Sequence, residues 1–336
     1  MSNDAASSPH GRRILVAGGA GFLGSHLCRR LLDDGHDLIC VDDLSTGHRS
    51  NIEPLFDRSG FRFVQHDIRE TFDARVDQIY NLACPAAPPR YRHAPIKTLT
   101  TSVQGSTALL ELARCQGARL LFTSSSEVYG DPDIHPQSED DWGRVNPIGP
   151  RACYNEGKRC AEAMHSAYAL EYGVEVKIAR VFNTYGPQMP LDDGRVVPNF
   201  IVQALMGAPL SVHGTGEQTR SFCYVDDLIE ALVRLMASPS GLSGPINLGN
   251  PHEVSVLSLA STVQRLTGAD STIDHCELPI DDPRRRRPNI SLARTMLDWE
   301  PHTGLEAGLK RTIAYFAQRL SHRAKHGATQ ATLCHT

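Results

Sequence analysis

The turn Gly18-Gly19-Ala20-Gly21-Phe22-Leu23-Gly24 restricts what this chain can become more than any other stretch. It directly follows the β-rich run RILVA and opens the amphipathic run FLGSHLCRRLLDDG. Glycines at 18, 21 and 24 permit a tight turn, close backbone approach to a pyrophosphate, and close helix packing. Alone, such a turn is also compatible with a plain tight loop. The context narrows the choice, because strand, turn and helix are followed by a second strand, DLICVDD, that reaches Asp42. Phosphates would then lie against free helix N–H groups and the positive end of the helix dipole. Asp42 is placed to accept hydrogen bonds from a ribose diol, and its charge repels a 2′-phosphate, so NAD is expected rather than NADP. Asp43 can share or take that role. Asp67, ending the run FRFVQHD, is either an adenine-pocket carboxylate or a surface turn residue. Gly18, Gly21, Phe22, Leu23, Gly24, Asp42, Asp43 and Asp67 are thus the candidates for holding the cofactor.

Further β-rich runs follow as QIYNLAC, RLLFTSS and VEVKIARV, with helical patterns near 99–117 and 155–172. Repeated β-α-β alternation predicts an α/β fold, a doubly wound and mostly parallel sheet covered on both faces. After about residue 184 proline, glycine and charge punctuate shorter elements, as in YGPQMPLDDGR and LPIDDPRRRRP, which predicts a smaller C-terminal α/β lobe. The polar ends, 1–11 and 321–336, read as disordered tails.

Bulk composition excludes several classes. A net charge of −4 offers no general attraction to nucleic acid or to an anionic membrane, so an anionic ligand needs local cations or helix ends. No run approaches the ~18 apolar residues of a membrane span, and the start lacks the apolar stretch of a signal peptide. Nine cysteines without a CxxC pair suit free thiols in a reducing cytoplasm. His26 and His213 have no HxxxH partner, and no metal site is expected among the fifteen histidines.

Tyr154 and Lys158 stand four residues apart on an expected helix, so both point along one face. An ammonium near a phenol favours the phenolate and makes it a usable general base for a sugar hydroxyl. On most helices such a pair is simply a buried tyrosine beside a solvated lysine. Here it follows the strand RLLFTSSSEVYG, whose carboxyl end is where a doubly wound sheet places its ligands. Ser125, at that end, can hydrogen-bond the reacting hydroxyl, whereas Ser124 reads as a polar strand terminus. Tyr154 and Lys158 would also border the cofactor.

The glycine turn, the strand-end serines and Tyr-x-x-x-Lys resemble the extended short-chain dehydrogenase/reductase superfamily. More specifically, SSSEVYGDPDIHPQSEDDWGRVNPIGPRACYNEGKR, PIKTL, GVEVKIARVFNTYGP, DDGRVVPNFI, QTRSFCYVDDL, INLGNP, RRRRPNI and LDWEP resemble UDP-glucuronic acid decarboxylases, the UDP-xylose synthases. The resemblance covers about residues 12–318. It implies NAD-dependent conversion of UDP-glucuronate to UDP-xylose through a 4-keto sugar, with Tyr154 as base, Lys158 as pKa modifier and ribose anchor, and Ser125 as hydrogen-bond partner. Ser126 and Glu127 would face the sugar near C5 and its carboxylate, and Arg286 would approach that carboxylate or assist C5 protonation. Asn183, Arg195 and Arg220 would contact UDP, guanidinium forks suiting a diphosphate. Arg284 and Arg285 read as a solvated loop, and Arg195 has an ion pair with Asp192 or Asp193 as its competing role. The domain expectation is an NAD-binding unit at 12–183 with a returning segment at about 222–248, and a nucleotide-sugar lobe at 184–221 and 249–320. The helices near 99–117 and 155–172 resemble the pair through which related enzymes form homodimers. The chain departs from the family at Asn155, where Asp is usual, at Cys84 and Ala87, where Ser is usual, and at Ser102, where Asn is usual.

Four other readings are open to these residues. A nucleotide-sugar 4-epimerase would use the same tyrosine and NAD without needing Glu127 or Arg286, and a decarboxylase can release the UDP-4-keto-pentose. A 4,6-dehydratase usually carries Asp-Glu where Ser126-Glu127 stands, and serine is a poor acid. A non-catalytic NAD-binding scaffold would have no use for Tyr154, Lys158 and Glu127.

Overall fold

The computed structural model describes residues 11–278, 281 and 285–333. Arg284 and the outermost ends, 1–10 and 334–336, lie outside the described residues. Strand β1 (Arg13–Ala17) is buried on both faces, Ile14 and Val16 in one apolar cluster and Leu15 and Ala17 in another. Alternate side chains of a strand point to opposite faces, so a run of unbroken apolar residues here needs cover on both sides. Helices supply it, as the β-α-β alternation predicts.

The main sheet comprises β1, β2 (Asp37–Asp42), β3 (Phe61–Gln65), β4 (Gln78–Asn81), β5 (Arg119–Ser125), β6 (Val176–Val181) and β7 (Ile246–Leu248). Their spatial order is β7-β6-β5-β4-β1-β2-β3, and all neighbours are parallel. The order reverses between β1 and β4, which opens a crevice at the carboxyl ends of those strands. One layer holds helices Pro95–Gln116 and Ala152–Tyr172, packed on each other, and the other holds Phe22–Asp33 against Val225–Ala237. The outlying elements include a three-stranded sheet of Thr219–Ser221, Glu253–Ser255 and Arg285–Arg286.

The last helix, Leu305–Leu333, departs from the expected tail at 321–336. Residues 321–333 hold three alanines and no proline, so the sequence has no strong helix breaker at the polar boundary.

Candidate active site

The glycine turn sits at the sheet's reversal. Gly18 has φ +78°, and a Cβ placed there would lie 2.9 Å from Ala83. At Gly24 a Cβ would lie 2.1 Å from the Gly18 carbonyl oxygen, so neither position accepts a side chain without moving backbone. Helix Phe22–Asp33 starts at Gly21 with no side-chain cap and no acid in its first turn. A bare helix start behind a close-packed turn is what a pyrophosphate needs. The adjoining cavity, about 170 Å³, is lined by Gly18, Gly21, Phe22, Leu23, Gly24, Asp42, Asp43 and Asp67. These residues therefore fit a dinucleotide. Gly24→Ala is expected to lower the melting temperature and to purify without dinucleotide, as measured by thermal melting and by the absorbance released on denaturation.

The acidic candidates are already engaged. Asp42 accepts from the backbone N–H groups of Ala20 (3.0 Å) and Leu44 (2.8 Å), and burial raises its carboxyl. Asp43 pairs with Lys97 at 2.6 Å. Asp67 is gripped by Arg69 at 2.6 Å, the geometry of a turn carboxylate, although it also lines the cavity.

A larger cavity of about 530 Å³ joins the first across Phe22, Leu23, Leu82, Cys84, Ala86 and Arg195. Ser125, Ser126, Glu127, Tyr154, Lys158, Asn183, Arg195, Arg220 and Arg286 all line it. Strand β5 and the turn Ser126–Tyr129 bring the serines and Glu127 there, and the Ser125 hydroxyl accepts the Glu127 N–H at 3.2 Å. Ser124 also borders the cavity, with its hydroxyl donating to Glu162 at 2.5 Å.

Burial pushes the Tyr154 phenol up, Cys84 adds to the rise, and interaction with the Ser125 hydroxyl opposes it. The expected lowering by Lys158 is therefore not what dominates. Lys158 donates to the Thr123 carbonyl at 2.8 Å, with its ammonium 4.7 Å from the Phe122 ring centre and 5.8 Å from that of Tyr154. Its own burial lowers its pKa, so one desolvated pocket disfavours the charged form of both groups.

Arg286 donates from Nη1 to Glu127 at 2.7 Å, across 159 positions of sequence. Its Nη2 is buried without an acceptor. Arg285, beside it, is exposed as expected, but it lies in the strand Arg285–Arg286, paired with Thr219, and not in a loop. Arg151, which sequence reasoning missed, also donates to Glu127, at 3.3 and 3.4 Å. Two signals could have found it. It precedes Tyr154 by three residues, on the same face, and a cation at a helix start opposes the dipole and so calls for an acidic partner. Arg195 takes the ion-pair role with Asp193, at 2.5 Å, while Asp192 pairs with Arg90 at 2.7 Å. Among the described residues no group of three or more His, Cys, Asp or Glu is arranged to hold a metal.

Burial works to raise the Glu127 carboxyl, but Arg286 and then Arg151 hold it below the usual range. A carboxyl depressed by folding stabilises the fold above its unfolded pKa of about 4.3. That contribution is lost as pH falls through the lower, folded value. The urea midpoint of the parent should therefore fall more steeply below about pH 4.3 than that of Glu127→Gln.

A doubly wound sheet, a glycine cradle at its reversal and a tyrosine-lysine pair beside strand-end serines define a nucleotide-dependent oxidoreductase-type site. The chain belongs to the NAD dependent epimerase/dehydratase family, whose model matches residues 14–249. It is 52% identical over 315 residues to UDP-glucuronic acid decarboxylase 1 of Xenopus tropicalis, covering 94% of this chain and 74% of that one. UDP-glucuronic acid decarboxylase 6 of Arabidopsis thaliana is 50% identical over 92% of this chain and 90% of that one. A solved structure of UDP-glucuronic acid 4-epimerase from Bacillus cereus, in complex with UDP-glucuronic acid and NAD, superposes with a TM-score of 0.82 at 29% identity. That match covers 91% of this chain and 99% of the epimerase.

Proposed function

We propose that this protein is a UDP-glucuronate decarboxylase that forms UDP-xylose with NAD as a catalytic, regenerated cofactor. One observation carries the choice over a 4-epimerase of neutral sugars. Arg286 is buried in the same cavity as Tyr154, bound to Glu127 through one nitrogen and holding the other without an acceptor. A sugar acid group supplies that acceptor in a charge-assisted hydrogen bond, and a neutral sugar has no anion to offer.

Gly18, Gly21, Phe22, Leu23 and Gly24 would hold the pyrophosphate, Asp42 or Asp43 the adenosine ribose, and Asp67 the adenine side. NAD, when bound, accepts hydride from C4 of the sugar and later returns it. Tyr154 takes the proton from the C4 hydroxyl, and Ser125 fixes that hydroxyl by a hydrogen bond. Lys158 would anchor the ribose. With C4 a ketone, the C6 carboxylate is β to a carbonyl, so the C5–C6 bond breaks, carbon dioxide leaves and the electron pair enters the enolate. Ser126 and Glu127 orient C5, and Arg286 holds the acid group and then assists protonation at C5. Tyr154 gives its proton back to O4 as the ketone is reduced. The net change consumes one proton and releases one carbon dioxide. Asn183, Arg195 and Arg220 face the UDP end, with Arg195 held ready by Asp193.

Residues 12–183 with 222–248 serve as the NAD-binding unit, and 184–221 with 249–320 as the nucleotide-sugar lobe. This division is supported by the return of the chain to the main sheet at β7 and by the siting of Arg220 and Arg286 in the small sheet. A homodimer through helices Pro95–Gln116 and Ala152–Tyr172 is supported by exposed Ile96, Leu99, Leu170 and Tyr172 on those helices. Light scattering at micromolar concentration should give twice the chain mass. Free cysteines throughout the described residues, and no helix there long and apolar enough to cross a membrane, support a cytoplasmic setting. The activity itself is tested with UDP-glucuronate labelled with carbon-13 at C6. Labelled carbon dioxide and unlabelled UDP-xylose are expected, and a nucleotide sugar that keeps the label refutes the assignment.

A further inference from the structure

Two walls of the dinucleotide cavity come from distant parts of the chain, residues 82–90 and residues 190–195. They touch. Arg90, in the short helix Pro88–His93, donates from Nη2 to Asp192 at 2.7 Å, across 102 positions of sequence. Beside that pair Gly194 packs against Pro89. A Cβ on Gly194 would lie 2.5 Å from the proline Cγ, and its φ of +86° is open to glycine and strained for other residues.

The start of the second segment is tied down separately. Ser25 donates to the Gln188 side-chain oxygen at 2.6 Å, and Nε2 of His26 lies 3.0 Å from the Pro187 carbonyl oxygen. Both Ser25 and His26 belong to helix Phe22–Asp33, which opens at the glycine turn. Residues 187–194 therefore form a strap, anchored on that helix at one end and fastened to Pro89 and Arg90 at the other. The fastening pair is exposed, with 38% and 73% of the two side chains open to solvent, and such pairs add little to folding stability. Its placement gives it another use. Arg90 lines the dinucleotide cavity, whereas Asp192 lines a neighbouring cavity with Tyr315 and Arg319. Any effect of Asp192 on a bound dinucleotide must therefore pass through Arg90 and the strap.

We propose that Arg90 and Asp192 form a latch that closes the strap over bound NAD and retains the cofactor between its two hydride transfers. The need for retention rests on the regenerated NAD of the reaction given above. A reduced cofactor lost in mid-cycle would leave the 4-keto sugar with no hydride to take back. The latch itself is tested on NAD alone, so its failure is separate from failure of the decarboxylation assay.

Protein loaded with radiolabelled NAD is chased with excess unlabelled NAD, without sugar, for the parent, Arg90→Ala, Asp192→Ala and the double variant. Each single variant should release label about twofold to about fivefold faster than the parent, the upper part of the span for an exposed ion pair. The double variant should be no faster than the single ones, because either substitution opens the same pair. In about 1 M salt, where the screening length is about 3 Å, parent and variants should converge. Faster release in Arg90→Ala alone would mean that Arg90 grips NAD directly, and it overturns the latch. Parental rates in both single variants, additive effects in the double variant, or ratios that salt leaves unchanged overturn it equally.

Discussion

Tyr154→Phe should turn over UDP-glucuronate at least ~100-fold more slowly than the parent, and by as much as ~10,000-fold, the usual span for loss of a general base. The fold should barely register the change. Tyr154 is 6% exposed and stacked on Tyr91, and phenylalanine keeps both the volume and the ring contact. Because burial raises the phenol, its deprotonated fraction grows with pH through the neutral range. Parent turnover should therefore climb with pH there, and that climb should vanish in Tyr154→Phe. Near-parental rates in this variant, with NAD still bound, would remove Tyr154 from the role of base.

Arg286→Met should lower kcat/KM for UDP-glucuronate by about 30-fold to about 4,000-fold. Truncating one member of a buried, hydrogen-bonded charge pair costs about 2–5 kcal/mol, and each 1.4 kcal/mol is a factor of about ten. Two losses add here. The substrate acid loses its cation, and Glu127 keeps Arg151 alone, at the longer contacts of 3.3 and 3.4 Å. Affinity for UDP should change little, since Arg286 is assigned to the sugar and not to the diphosphate. The steady-state constants for UDP-glucuronate, set against UDP binding by calorimetry, separate these effects. An unaltered kcat/KM, or an equal loss of UDP affinity, would contradict the role given to Arg286.

What the sequence made legible was local. The turn from Gly18 to Gly24 announces itself because only glycine fits where a Cβ would meet the Gly18 carbonyl or Ala83. The strands of the main sheet are readable because burial on both faces leaves continuous apolar runs, and Tyr154 and Lys158 are readable because a helix sets their spacing. The contact of Glu127 with Arg286 spans 159 positions and has no local signature; resemblance placed each beside the sugar acid but did not pair them. Arg151 was overlooked because a lone arginine beside a proline and a glycine resembles loop charge until its partner is placed. The expected effect of Lys158 on the phenol failed because spacing conveys proximity but not desolvation, which here acts on both groups.

In this mechanism the sugar is oxidised at C4 by bound nicotinamide before its acid group departs. Rapid mixing of the NAD-loaded protein with UDP-glucuronate, with and without deuterium at C4, tests it most directly. Absorbance of reduced nicotinamide should rise and then return to baseline as carbon dioxide and UDP-xylose form, with deuterium slowing the rise. Release of carbon dioxide with no reduced nicotinamide at any time and no isotope effect at C4 would contradict it.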